Sequence, residues 1–154
     1  MLELTEDLLK KEPEKLAKKF IEISKKDGGI TSTQIRKFYD DLLLDQKKAK
    51  VQDEETFKKK TLPLIRMTEA KIAYSVGRGV LNKTFYEDMS EYLRKIERKE
   101  DFENFVLFYQ ALIAYLKYEE VAKKQENDNQ PKFEKKNYRN NNSYGNNNWG
   151  GYRK

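Results

Sequence analysis

Apolar residues in this chain return every three or four positions from the N-terminus to about residue 124, and nowhere do they alternate convincingly at period two. Leu2, Leu4, Leu8 and Leu9 surround a weak helix start at Thr5. Pro13, a residue suited to the first position of a helix, opens the next piece, with Leu16, Phe20 and Ile23 on one side. Asp27-Gly28-Gly29 stops it. In "ITSTQIRKFYDDLLLDQKKAK", residues 30–50, Thr31 and Gln34 have capping-box spacing. Ile35, Phe38, Tyr39 and Leu42 then fall within about a quarter of a wheel stepped at 100° per residue. Lys37 points away from that stripe and Arg36 sits at its edge.

Asp53 starts a third piece, which Pro63 is expected to divide because proline lacks a backbone donor and disfavours helix just before it. Beyond it Leu62, Ile65, Ile72, Ala73 and Val76 share a face, and Gly77 or Gly79 ends the run. Glu69 falls inside that apolar sector, so it needs a partner or a subunit contact. A fourth helix begins at Asn82 or Thr84, with Phe85, Met89, Tyr92, Leu93 and Ile96 inward. A fifth, capped by Asp101, runs to about Lys124 on Phe102, Phe105, Val106, Tyr109, Ile113 and Leu116. Phe108, Ala111 and Tyr115 widen its apolar face, which marks either a central helix or a subunit contact.

The pattern predicts an all-α fold, a compact bundle of about five helices over residues 1–125. From Glu126 the composition changes. "NYRNNNSYGNNNWGGYRK" is Asn/Gly-rich and too poor in apolar surface to offset its ordering entropy, so 126–154 is expected to be a disordered tail. Its Tyr138, Tyr144, Trp149 and Tyr152, beside Arg139, Arg153 and Lys154, are suited to stacking on exposed bases or simply to keeping the chain soluble.

Candidate chemistry is thin. The chain has no Cys, which excludes disulfides and thiolate metal sites, and no His, the commonest general base and neutral metal ligand. Its carboxylates are scattered among lysines; Asp40-Asp41 and Glu54-Glu55 are adjacent, so on a helix they diverge. No enzyme, metal or cofactor is expected. With no secretory h-region and no apolar run near 18 residues, neither export nor membrane insertion is expected, and the default location is cytoplasmic.

Charge changes this picture. The chain carries 32 Lys/Arg against 26 Asp/Glu, a net +6, unevenly placed. Residues 44–78 hold nine cations against five acids, 83–104 five against seven, and 126–154 six against three. The asymmetry suggests a polyanion for one face, nucleic acid before membrane. Three basic series stand out: Lys47, Lys48 and Lys50; Lys58, Lys59 and Lys60; and Arg66, Lys71 and Arg78. Phosphate neutralisation needs only cations on one surface, so binding through them would be blind to sequence. Gly77-Arg78-Gly79 reads as a helix terminus rather than a phosphate loop.

Three pieces, "ITSTQIRKFYDDLL", "LPLIRMTEAKIAYSVGR" and "DFENFVLFYQALIAYLKY", resemble in order and spacing the small subunit of type III-A CRISPR interference complexes, the Csm complex, across roughly residues 30–118. The Asn-rich tail is not a hallmark of that family. The resemblance implies an all-α, non-catalytic subunit of antiviral defence that self-associates in several copies beside the backbone subunits. Its partners would be guide RNA, target RNA, and the backbone and large polymerase-like subunits. It implies RNA contacts at Arg36, Lys37, Lys71 and Arg78; the charge reading adds Lys58, Lys59, Lys60 and Arg66. Alternatives are a purely structural helical scaffold working through Phe108 and Tyr115, the analogous type III-B small subunit, and an RNA chaperone acting through its tail.

Overall fold

The computed structural model describes residues 1–23 and 27–129. A π-helical turn, Asp7–Lys11, runs into α1, Glu12–Glu22. Helix α2 is Ser32–Lys50. A short helical turn, Glu54–Thr56, and a second π-helical turn, Phe57–Thr61, lead into α3, Leu62–Gly77. Helices α4, Lys83–Arg94, and α5, Lys99–Asn129, complete the bundle. Among the described residues there is no strand, and the all-α reading holds. The last helix passes the composition change at 126 and reaches Asn129. The rest of the expected tail lies outside the described residues.

Most helix starts are those the local chemistry asks for. Thr5 Oγ1 accepts from the Leu8 amide at 3.1 Å, Asp53 Oδ1 from Thr56 at 2.7 Å, and Asn82 Oδ1 from Thr84 at 2.7 Å. Asp101 departs from expectation: α5 begins two residues earlier, and Asp101 reaches back from the first turn to accept from the amides of Arg98 (3.0 Å) and Glu97 (3.1 Å). Its carboxylate is fully buried and also accepts from the Leu2 amide at 3.0 Å, which pins the N-terminus to α5.

The two prolines are the other departure. Pro13 sits in the first turn of α1, as expected, and Pro63 in the first turn of α3, yet neither interrupts the helical course of the backbone that leads into it. In each case a π-helical turn lies just upstream, closed by Glu12 N–H to Asp7 O and by Leu62 N–H to Phe57 O. A proline inside an α-helix lacks its own donor and drives its ring into the carbonyl four residues back. A wider turn at that point moves the obstructing carbonyl aside, so the helix survives.

Helix α5 is central. It packs against α1 and α2, while α3 packs against α4. Phe102, Phe108, Leu112 and Leu116 are wholly inaccessible, and each such side chain contributes about 1.5–3 kcal/mol of burial. Phe108 stacks on Tyr92 with ring centres 4.2 Å apart, and Tyr109 stacks on Tyr39 at 6.2 Å. The Tyr109 hydroxyl, buried, donates to the Ile35 carbonyl at 2.7 Å. Of the residues that widen the apolar face of the fifth helix, Phe108 is therefore spent inside the bundle, while Ala111 and Tyr115 are only partly buried. The scaffold reading that placed a subunit contact on Phe108 loses its surface, and Tyr115 is half-buried against the core.

Candidate nucleic-acid interface

Two local motifs set the geometry of a groove between α2 and α3. At the head of α2, Thr31 and Gln34 form the expected capping box: Thr31 Oγ1 accepts from Gln34 N at 3.2 Å, and Gln34 Oε1 accepts from Thr31 N at 2.8 Å. The other end of the same amide, Gln34 Nε2, donates to the Val80 carbonyl at 2.8 Å. That bond ties the start of α2 to the chain leaving α3. At the tail of α3, Gly79 takes φ +73°, its amide donates to Val76 O at 2.9 Å and the Val80 amide to Ser75 O at 2.9 Å. This is a Schellman turn, and it makes Gly79 rather than Gly77 the stop.

The groove so framed has a volume of roughly 500 Å³ and is lined by Lys37, Asp41, Met67, Lys71, Tyr74 and Arg78, among others. Three of the eight expected RNA-binding residues, from two helices, thus meet on one surface. Lys71 and Arg78 are seven positions apart, so two turns separate them by about 10.5 Å along α3. Between them Tyr74 is 67 % exposed, with the Arg78 guanidinium 5.7 Å from its ring centre. Lys71 Nζ pairs with Asp41 at 2.8 Å. Both partners are about half exposed, so the pair is worth at most about 1 kcal/mol and Lys71 is cheaply redirected to a phosphate. Lys37 and Arg78 have no ion-pair partner among the described residues.

Sequence reading passed over Tyr74 and Met67. The signal was present: positions 67, 71, 74 and 78 alternate spacings of four, three and four, which is one face of a helix. Leu64 extends the same line, and Leu64, Met67 and Tyr74 are all exposed.

The other candidates lie elsewhere. Arg36 is exposed on α2 but does not line the groove. Lys58, Lys59 and Lys60 are exposed on the π-helical turn at the far end of α3, about 27 Å of helix from Arg78. Lys59 is held by Glu55 at 2.6 Å. Arg66 is engaged inside the fold. Its guanidinium donates to the carbonyls of Leu93, of Arg94 at 3.2 Å and of Ile96 at 2.7 Å, closing the C-terminus of α4. Glu69, the acid in the apolar sector, has a partner in Arg94 at 2.9 Å.

Among the described residues no three His, Cys, Asp or Glu side chains gather as a metal site, and no helix is long and apolar enough to cross a membrane. Neither a curated protein nor a solved structure matches the chain. A family model does: the one described as Csm2 Type III-A matches residues 4–122, a span that contains every helix start, both π-helical turns and the whole α2–α3 groove. With most of its length covered and the five-helix fold in place, the chain belongs to the Csm2 Type III-A family, the small subunits of the type III-A Csm effector complex.

Proposed function

We propose that this chain is a non-catalytic subunit that lays its α2–α3 groove along the guide and target RNA held in the complex, touching phosphates without reading sequence. Several copies stack beside the backbone subunits. The observation that carries this reading is the meeting of Lys37, Lys71 and Arg78 in one groove, with Tyr74 between the last two. Cations on one surface are all that backbone recognition requires. Arg36 and the Lys58–Lys60 series are outer contacts in this scheme, reached by a strand longer than the groove. Arg66 is left out of it, because its guanidinium is anchored on three backbone carbonyls at the end of α4.

The test is the assembled complex carrying Lys37→Gln, Lys71→Gln and Arg78→Gln together. Target-RNA affinity is measured from about 50 to 200 mM salt. Every cation withdrawn from a phosphate takes roughly 0.7–0.9 off the slope of log affinity against log salt, so a fall of about two is expected, uniform across target sequences. An unchanged slope in a fully assembled complex overturns the reading.

A second reading has its own support: exposed Leu64, Met67 and Tyr74 on α3 offer an apolar line to a protein neighbour. On that reading Met67→Glu blocks incorporation into the complex, while the three Gln substitutions change nothing.

A further inference from the structure

The charge of the bundle is concentrated in two adjoining hollows. Residues 1–129 carry 26 Lys/Arg against 25 Asp/Glu, a near balance. The α2–α3 groove is lined by Lys37, Lys71 and Arg78 against a single acid, Asp41. A second hollow, of roughly 690 Å³, is lined by Lys117, Lys123 and Lys124 of α5 against a single acid, Glu120. The two together hold six cations and two acids, so everything else in residues 1–129 is net negative. Charge focused in this way steers a polyanion to one place.

The hollows are continuous at one edge. Gln34 and Val80 line both, and Gly79, which directly follows Arg78, lines the second. Two side chains stitch this shared rim: Gln34 Nε2 donates to the Val80 carbonyl at 2.8 Å, and Asn82 Nδ2 donates to the Asp27 carbonyl at 2.5 Å. A strand leaving the groove past Arg78 therefore meets the second hollow next.

The acid of the second hollow is already committed. Glu120 Oε1 accepts from the Ser32 amide at 2.6 Å and Oε2 from the Ser32 hydroxyl at 2.8 Å. Both bonds lie at the N-terminus of α2, where the helix dipole favours a negative charge. Lys117 comes only to 3.7 Å of that carboxylate and is 62 % exposed, a weak pairing. Lys124 is exposed and has no ion-pair partner among the described residues. Lys123 is occupied, donating to the Ile21 carbonyl at 2.8 Å near the end of α1. Lys117 and Lys124 are seven positions apart, about 10.5 Å along α5, the interval that also separates Lys71 from Arg78 on α3. Each hollow thus presents two cations two helical turns apart that no acid of the fold holds firmly.

We propose that the second hollow is a further phosphate-binding segment, in which Lys117 and Lys124 take the backbone of the RNA strand that crosses the Gln34–Val80 rim from the groove. This rests on the groove reading and lengthens its track from two helices to three.

The test uses the assembled complex carrying Lys117→Gln and Lys124→Gln, with Lys123 left in place because it closes α1. Target-RNA affinity is measured over the same salt range as for the groove variant. Two cations withdrawn from phosphates should lower the slope of log affinity against log salt by about 1.5. A second arm places a photoreactive phenylalanine at Asn127, on the wall of the hollow, in complexes whose guide or target RNA is labelled in turn. Crosslinking to one labelled strand is expected and says which strand crosses the rim. An unchanged slope in the Lys117/Lys124 variant, with a lowered slope in the groove variant, overturns this proposal and leaves the groove reading standing. Unchanged slopes in both variants overturn the two together. A fall confined to the Lys117/Lys124 variant ends the groove reading and, with it, the continuous track. Failure of that variant to enter the complex, or crosslinks from Asn127 to protein alone, would make the hollow a subunit contact and also overturn the proposal.

Discussion

The Arg66 guanidinium reaches the carbonyl of Ile96 at 2.7 Å, bridging from the first turns of α3 to the loop that follows α4 thirty positions later. Two further carbonyls, those of Leu93 and Arg94, complete a three-point clamp on the end of α4, where Leu93 O also accepts from the Ile96 amide at 3.3 Å. It joins α3 to the end of α4, the helix packed against it.

Arg66→Ala should accordingly destabilise the chain by about 2–3 kcal/mol, since hydrogen bonds from a charged donor contribute about 1.5–3 kcal/mol and the carbonyls are left partly buried. Arg66→Lys should recover only part, because an ammonium is a single point and the planar fork serves acceptors side by side. Chemical denaturation reads both. Equal stability of all three proteins would remove the clamp.

Asp101 makes stability depend on pH at the acid end. Burial alone would raise its pKa, but the amides of Leu2, Glu97 and Arg98 and the Arg98 side chain outweigh that and hold it below the ordinary 3.8. The folded value lies below the unfolded one, so the stabilisation is complete above about pH 4 and drains away as pH falls below 3.8 towards the folded value. Asp101→Asn should lose stability at pH 7 and flatten the acid limb of the stability curve. A parallel acid limb in the variant would contradict this.

Two neighbouring glycines should respond with opposite signs. At Gly77 the backbone is helical and an added Cβ meets nothing within 4 Å, so Gly77→Ala should stabilise by about 0.4–1 kcal/mol. Gly79 sits at φ +73°, where a Cβ is strained even though space is open, and Gly79→Ala should destabilise by about 1 kcal/mol. Thermal melts of the two variants decide it.

Gln34→Glu isolates the double use of one amide. A Glu at this position keeps the capping acceptor and gains from the helix dipole, about 0.3–1 kcal/mol, yet it sets a carboxylate against the Val80 carbonyl where a donor stood. The net should be neutral to about 1 kcal/mol destabilising, with weaker amide-exchange protection at Val80 and Leu81. A clear gain in stability would mean that the Val80 bond carries little.

What was legible in the sequence is what is decided within a turn or two. The Thr31–Gln34 box, the Asn82 and Asp53 caps and the α5 stripe are local chemistry and local period, and each is found as read. The place of Arg66 at the end of α4 was not legible, because its acceptors are 27 to 30 positions away and backbone carbonyls have no sequence signature. Lys37, Lys71 and Arg78 share a groove only because α2 lies beside α3, a pairing no single helix encodes. Tyr74 was legible too, since its spacing from Lys71 and Arg78 places it on their face.

The wide turns ahead of Pro13 and Pro63 make chain length and proline a single device. A π turn spends about one residue more than an α turn on nearly the same rotation, so it absorbs an extra residue without swinging the helix on either side. Deleting one residue from Lys58–Lys60 would therefore leave Phe57 and Ile65 facing inward and Lys71 and Arg78 on their groove. The deletion would instead return a carbonyl to the path of the Pro63 ring, at about the 3 kcal/mol that proline costs inside a regular helix. Replacing Pro63 with Ala in the shortened chain should restore most of that. Neither the extra residue nor the proline is then explained alone: each makes the other tolerable, and they are expected to be gained or given up together.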